Sequence, residues 1–455
     1  MGKETDPNPK DKKLLFRLIW NFSAELKVTF MALVVLFAFA TLLPFFPSSF
    51  SFSASDLRFC ISRIVAATPV NTTAGDSSPP PQVTEPDRVI SNGVIKRSFT
   101  GVGWAAYNFV SMGAYRGGVN SFAVIGLSSK PLHVYGHPSY SCEWVPSDPT
   151  RERIRADWYK ILPDWGYGRV YTVVVVNCTF PLISAVNGDN SGGTLLLHAT
   201  TGDADRNVTD TIPVLSEKPN AVDFELYNST LHRPKYDYLY CGSSLYGNLS
   251  PQRVREWIAY HARLFGERSH FVFHDAGGVH EEVLEVLRPW MELGRVTVHD
   301  IRDQERFDGY YHNQFMVVND CLHRYRFMTK WMFFFDVDEF IYVPPKNTIA
   351  SVMESMEKYS QFTIEQMPMS SELCFSGDGP AKTYRKWGIE KLAYRDVKKV
   401  HRRDRKYAVQ PRSVYATGVH MSQNLEGKTT HKVEGKIRYF HYHGSISQLI
   451  KKQGW

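Results

Sequence analysis

The chain has 455 residues, 43% of them apolar and 22% charged, with a formal net charge of +7. That length allows more than one domain and a substantial core, and the composition excludes an intrinsically disordered chain. The basic excess gathers between Lys382 and Arg412, a run suited to phosphates, acidic polysaccharide or a membrane surface and otherwise a solvated face; nothing points to nucleic acid.

The first element in chain order is "VTFMALVVLFAFATLLPFF", starting at Val28, uncharged and close to the ~20 residues a spanning helix needs. Lys10, Lys12, Lys13, Arg17 and Lys27 precede it, which favours a cytosolic tail over 1–27. With no convincing cleavage site after it, the segment 28–47 reads as an uncleaved signal anchor, giving single-pass type II topology with the rest of the chain in a lumen. Sequons at Asn71, Asn177, Asn207, Asn228 and Asn248 fall on that side. The six cysteines lack CxxC spacing, so zinc and thioredoxin-type sites are set aside. A Cys142–Cys178 disulfide is the expected pairing, against buried free thiols as the alternative. Residues 48–98, rich in Pro, Ser and Thr over much of their length, read as a stem.

Residues 99–232 give β-type signals: "SFAVIGL", "YTVVVVNCTF" and "GTLLLHAT" are short apolar runs bounded by Gly, Asn and Asp. A β-sandwich-like module is expected. Its Trp104, Tyr107, Tyr115, Trp144, Trp158 and Trp165 include candidates for stacking on sugar rings, though core packing is the commoner fate of any one of them. From 233 onward strands and helices alternate. "YDYLYCGSSLYG", "HFVFHDAGG", "RVTVHDIRD" and "KWMFFFDVDEFIYV" are strands, separated by the helical "SPQRVREWIAYHARLFG", "HEEVLEVLRPWMELG" and "HNQFMVVNDCLHRYRFMT". This order predicts an α/β domain over 233–455 with a Rossmann-like, mainly parallel sheet. Ligands of such sheets bind at the carboxyl ends of strands, here Cys241 to Tyr246, Asp275 to Gly278 and Asp336 to Glu339.

The third of these ends carries the chemistry. On an extended segment Asp336 and Asp338 would share one face, and two converging carboxylates call for a cation between them. Oxygen ligands suit Mn²⁺ or Mg²⁺, whose remaining positions a nucleotide diphosphate can fill. A phosphatase of the haloacid dehalogenase type also places D-x-D after an apolar strand, but it wants Thr or Val where Phe340 stands. A third ligand is expected from "RYFHYHGSI", His441 ahead of His443, with His420 of "TGVHM" as a further option.

"CGSSLYGN" with "VREWIAYHARLFG", then "HNQFMVVNDCLHRYRFMTKWMFFFDVDEFIY", then "VHM" with "YFHYHGS", resemble in order and spacing glycosyltransferase family 92 over most of 233–447. "FVSMGAYRGGVNSFAVIGLSSKPLHVYGHPSYSCEWVP" is similar to its plant members that make β-1,4-galactan. The resemblance implies a GT-A type domain in the Golgi membrane, Mn²⁺ (or Mg²⁺) and inverting transfer from UDP-galactose. The implied acceptor is β-1,4-galactan on pectin (rhamnogalacturonan I), with the β-rich module binding the growing glycan. It carries the metal motif onto Asp336 and Asp338 and an HY motif onto His441 and Tyr442. It also places Cys241, Ser243, Leu245 and Asp275 at the nucleotide.

The catalytic base is expected from "SSELCFSGDG", as Glu372 or Asp378, with Glu372 slightly favoured. Lys398, Lys399, Arg402, Arg403, Arg405 and Lys406 form the densest part of the basic run, and Lys399 and Arg403 are the candidates for clamping the diphosphate. Two other functions stand beside this one. A related transferase would act on an N-glycan or glycolipid, and a membrane-tethered carbohydrate-binding protein would bind glycan without turnover. Self-association as a homo-oligomer is left open.

Overall fold

In the computed structural model, residues 86–447 are described except 104–106, 131–137, 169, 182–185, 204–205, 228–232, 308–309, 371–386, 398–403 and 434. All belong to one compact unit, Pro80–Trp455. The anchor at 28–47 and most of the stem lie outside the described residues. Among the described residues no helix is long and apolar enough to cross a membrane.

The β-rich part is two antiparallel sheets face to face. One holds, in spatial order, Thr100–Val102, Phe109–Arg116, Ser121–Ser129, Tyr171–Thr179 and Asp157–Ile161; the other holds Arg206–Glu217, Gly193–Asp203, Ser139–Pro146 and Ile154–Arg155. Alternate residues point inward, so Phe122, Val124, Val174 and Val176 of the first sheet meet Trp144, Leu195 and Leu197 of the second. The expected Cys142–Cys178 disulfide joins the two sheets. Trp144 is therefore core, while Trp158, Tyr107 and especially Trp165 are exposed; Trp104 lies outside the described residues. Of the sequons, Asn207 and Asn248 are exposed, Asn177 is buried in its strand and closed to a glycan in the folded chain, and Asn71 and Asn228 are not among the described residues.

The larger sheet has eleven strands. In chain order its elements are β1 (Arg88–Val89), β2 (Ile95–Lys96), β3 (Tyr236–Leu245), α1 (Pro251–Phe265), β4 (Ser269–Asp275), α2 (Glu281–Glu292), β5 (Val296–Asp300), α3 (Gln314–Arg324), β6 (Thr329–Phe334), β7 (Glu339–Tyr342), α4 (Ile349–Met356), β8 (Gln361–Pro368), β9 (Arg405–Val409), β10 (Thr429–Thr430) and β11 (Arg438–His441). The spatial order is β1-β2-β5-β4-β3-β6-β9-β8-β11-β7, with β10 beside β8. Strands β2 to β6 run parallel, as the alternating pattern predicts. Beyond β6 the sheet is mixed: β9 is antiparallel to both β6 and β8, and β7 to β11. Between β3 and β6 the direction of strand order reverses, and ligands of such sheets bind at the carboxyl ends of the strands at that point. Residues 88–96, inside the stretch read as stem, extend this sheet, since Ile95 and Lys96 pair with His299 and Asp300.

Ser250 caps α1 through its hydroxyl, which accepts the Arg253 amide, and Pro251 opens the helix, as its sequence implies. Helix α3 is different: it is buried on all sides, between the large sheet and the outer face of the first sandwich sheet. Phe315, Val317 and Val318 meet Leu239 and Met332 of the large sheet and Val110, Ile125 and Val173 of the sandwich in one core. That is why Ser121–Ser129 reads as an unbroken apolar run, since both of its faces are covered. A second disulfide, Cys241–Cys321, ties β3 to α3.

A buried ionic network closes the same junction. Arg97 donates to both oxygens of Asp320, at 2.7 and 3.0 Å, and the Tyr115 hydroxyl donates to the same carboxylate. Arg324 and His274 lie 3.6 and 3.5 Å from it, and Asp87 bridges Arg97 and Arg324, each at 3.0 Å. Burial alone would push the Asp320 carboxyl up, but Arg97 and then Arg324 hold it well below the usual range.

Candidate active site

The acidic cluster sits at the carboxyl end of β6. That strand stops at Phe334, and the chain then turns, with the Glu339 amide donating to the Asp336 carbonyl at 3.1 Å. The extended-strand argument for Asp336 and Asp338 therefore does not apply, because the turn sends the two carboxylates to different partners. Asp336 accepts from buried Lys406 of β9 at 2.7 Å and from Gln314, the first residue of α3, at 2.9 Å. Its pKa is lowered: burial would raise it, but Lys406 outweighs that. Lys406 is in turn raised, since the pull of Asp336 and then Glu339 exceeds the cost of burying an ammonium.

Glu339 opens β7 and is 1% exposed. Its carboxyl is pushed up to about 8, chiefly by burial, with Lys406 opposing. It accepts the Asp336 amide at 2.7 Å, a bond the protonated acid also satisfies. An acid with a raised folded pKa loses its stabilising contribution as pH climbs from the unfolded value of 4.5 through about 8. With chelator present, Glu339→Gln should flatten that part of the stability profile. Thermal midpoints measured between about pH 5 and 8.5 would show it, and parallel profiles for the two proteins would refute this protonation.

Asp338 faces the other way. Strands β7 and β11 are antiparallel with Glu339 opposite His441, and that register sets the His441 ring beside the preceding residue. His441 Nε2 lies 3.5 Å from Asp338 Oδ2, and His443 Nδ1 lies 3.4 Å from His441 Nε2. Gln366 of β8 sets its side-chain amide nitrogen 2.6 Å from His441 Nδ1 and so fixes the orientation of the ring. One ligand atom from each of Asp338, His441 and His443 can be chosen so that all three lie within 4.8 Å of one another. This oxygen-plus-imidazole set fits Mn²⁺, with coordination positions left for water and diphosphate. His441 is nevertheless raised: burial lowers it, but Asp338, then Glu339, more than compensate. An ion there must displace that proton.

Residues 236–455 match the sequence profile of glycosyltransferase family 92. The chain is 77% identical over 452 residues to galactan beta-1,4-galactosyltransferase GALS3 of Arabidopsis thaliana, covering 98% of this chain and 90% of that one. The chain belongs to family 92. Two further Arabidopsis galactan beta-1,4-galactosyltransferases align in the same way: GALS2 at 72% identity, over 98% of this chain and 90% of its own, and GALS1 at 57%, over 77% and 69%.

Of the positions the family resemblance and the sequence single out, Asp338, His441 and His443 come together, whereas Asp336, expected as a metal ligand with them, is held by Lys406 and Gln314 instead. His420 stays apart, its Nδ1 on the Arg405 carbonyl at 3.1 Å. Tyr442 is buried and packs on Phe340, with ring centroids 5.5 Å apart. Cys241 and Leu245 must be corrected as nucleotide contacts. Cys241 points to the α3 side of β3 and is spent in its disulfide, and Leu245 points into the core on the α1 side. Ser243 is half-buried at the ladder irregularity between Cys241 and Ser244. Asp275 lies at the carboxyl end of β4, but its carboxylate accepts the Gly277 and Val279 amides at 2.8 and 3.0 Å and so shapes its own loop. Glu372, Asp378, Lys399 and Arg403 lie outside the described residues. Gln314 and Gln366 were not anticipated as site residues, and Glu339 was read as part of the acidic cluster without a role of its own. Lys406, read within the basic run, is buried and ion-paired. A lysine between Arg405 and the apolar "YAV" of one strand was the available signal.

Proposed function

We propose that this family 92 chain is an inverting galactosyltransferase that transfers galactose from UDP-galactose to β-1,4-galactan side chains of pectin, with Mn²⁺ or Mg²⁺ bound, from a GT-A type domain held in the Golgi lumen by its N-terminal anchor. The single observation that carries it is the Asp338, His441 and His443 cluster at the carboxyl end of β6, where the strand order reverses. The names of the Arabidopsis relatives supply the sugar and the linkage.

In this reading Asp338, His441 and His443 hold the ion, and Gln366 fixes the imidazole. The ion, when bound, acts as a Lewis acid toward the departing diphosphate. Lys406 neutralises Asp336, and burial keeps Glu339 protonated near neutral pH, so neither acid repels an anionic donor. A carboxylate must take the proton of the acceptor hydroxyl, and Glu372 and Asp378 are the candidates. A related transferase using another acceptor is the second reading, since no contact described here reads the acceptor's linkage. Purified protein given Mn²⁺, a panel of UDP-sugars and galacto-oligosaccharides is expected to lengthen the acceptor by β-1,4-linked galactose from UDP-galactose alone. Linkage analysis showing another bond, or another preferred donor, would overturn the assignment.

A further inference from the structure

A run of exposed rings leads away from the acidic cluster. Tyr246 stacks on His312, with centroids 4.3 Å apart, and Tyr310 lies 5.6 Å from Tyr311. Tyr310 also lies 5.8 Å from Tyr167, which is 6.1 Å from Trp165 on the β-rich part. Tyr310 and Trp165 both rest on Phe315 of α3, at 5.9 and 6.1 Å. Yet Trp165 is 55% exposed, Tyr167 64% and Tyr311 51%. Contiguous exposed aromatics of this extent call for a ligand.

The backbone beneath them is held in a costly shape. Tyr311, His312 and Asn313 have φ of 63°, 52° and 56°, and Trp165 has 53°, all left-handed without glycine. Such strain persists only where surrounding contacts enforce it, and it gathers at ligand clamps. Here Asn313, 1% exposed, donates to Glu305 at 3.1 Å and to the Phe307 carbonyl at 2.9 Å, while Ser244 donates to the His312 carbonyl at 3.0 Å. The next residue, Gln314, is the one that holds Asp336. The strip therefore starts at the site itself and ends on the sandwich.

We propose that this strip is the acceptor track: successive rings of a neutral β-linked hexose chain pack their C–H faces on Tyr311, Tyr310, Tyr167 and Trp165, with the growing end at the Asp338 cluster. Flat aromatic faces with polar tips suit sugars, which are apolar on one face and hydroxylated at the rim. The identity of the sugar rests on the galactan reading above. The test is binding of β-1,4-galactohexaose to the full chain without donor, followed by calorimetry. Trp165→Ala and Tyr167→Ala should each raise Kd about 3- to 10-fold, the worth of one ring contact. Trp165→Phe, which keeps a ring, should restore most of it. If Trp165→Ala does not fold, the well-exposed Tyr167 decides the matter. Unchanged Kd in the alanine variants, or no hexaose binding by the wild type, overturns the track. So does a variant that alters sedimentation but not glycan affinity, which would make the strip a contact between copies. Hexaose binding that depends on Trp165 in a protein that transfers no galactose would sink the transfer reading and leave the track standing.

Discussion

Asp338→Ala is expected to cut galactose transfer by about 10³-fold or more while leaving the fold intact. On the metal reading proposed above, losing the ion would forfeit several kcal/mol of stabilisation of the departing diphosphate, and about 1.4 kcal/mol is tenfold in rate. The side chain is half-buried and contacts His441 at 3.5 Å and the Gly444 amide at 3.3 Å, so little else depends on it. Asp336→Ala should behave differently despite its place in the same D-x-D. It takes the 2.7 Å partner from the Lys406 ammonium, 3% exposed, and among the described residues leaves it Glu339 at 3.7 Å. Removing one member of a buried pair costs about 3–5 kcal/mol, so this variant should lose thermal stability as well as turnover. Manganese titration by electron paramagnetic resonance separates the cases: weakened binding in a fully folded Asp338→Ala is the expected signature. Undiminished transfer by that variant would remove the metal cluster from the mechanism.

A stability effect as large is expected at Asp320. Its carboxylate is fully buried and faces Arg97, Arg324, His274 and Tyr115. Asp320→Ala would leave two guanidinium groups without it in a low-dielectric junction, a loss of about 3–5 kcal/mol from breaking a buried network. Its depressed pKa means that the contribution is present above the unfolded value of 3.8 and is lost only as pH falls through the lower folded value. Mild acidification would therefore not weaken it. Denaturant unfolding of Asp320→Ala, Arg97→Met and the double variant measures the coupling. Additive losses would mean that the two residues do not stabilise each other.

Much of this architecture was legible in the sequence. The strand–helix alternation after residue 233 marks the parallel strands β3 to β6, because apolar runs ending in turn residues alternate with capped amphipathic helices. Cys142 and Cys178 were readable as partners, whereas Cys241 and Cys321 pair only because α3 crosses β3, a tertiary fact with no local signature. The two-residue strands β1 and β2 are too short to carry a period, so they were indistinguishable from stem. At the site, Asp338 and His441 were visible as residue types, but their meeting depends on the β7–β11 register. Lys406 was hidden among surface-like charges, because its burial is decided by the antiparallel placement of β9 beside β6.

The way α3 is enclosed has a consequence for biosynthesis. The sandwich leaves the ribosome first, with the outward face bearing Ala123, Ile125, Leu127, Val173 and Val175 still uncovered. Its cover, α3, follows on the order of ten seconds later at ~5–20 residues per second. For that interval the nascent chain shows a sticky sheet to its surroundings, and chaperone occupancy of that face would bear on how much enzyme completes folding.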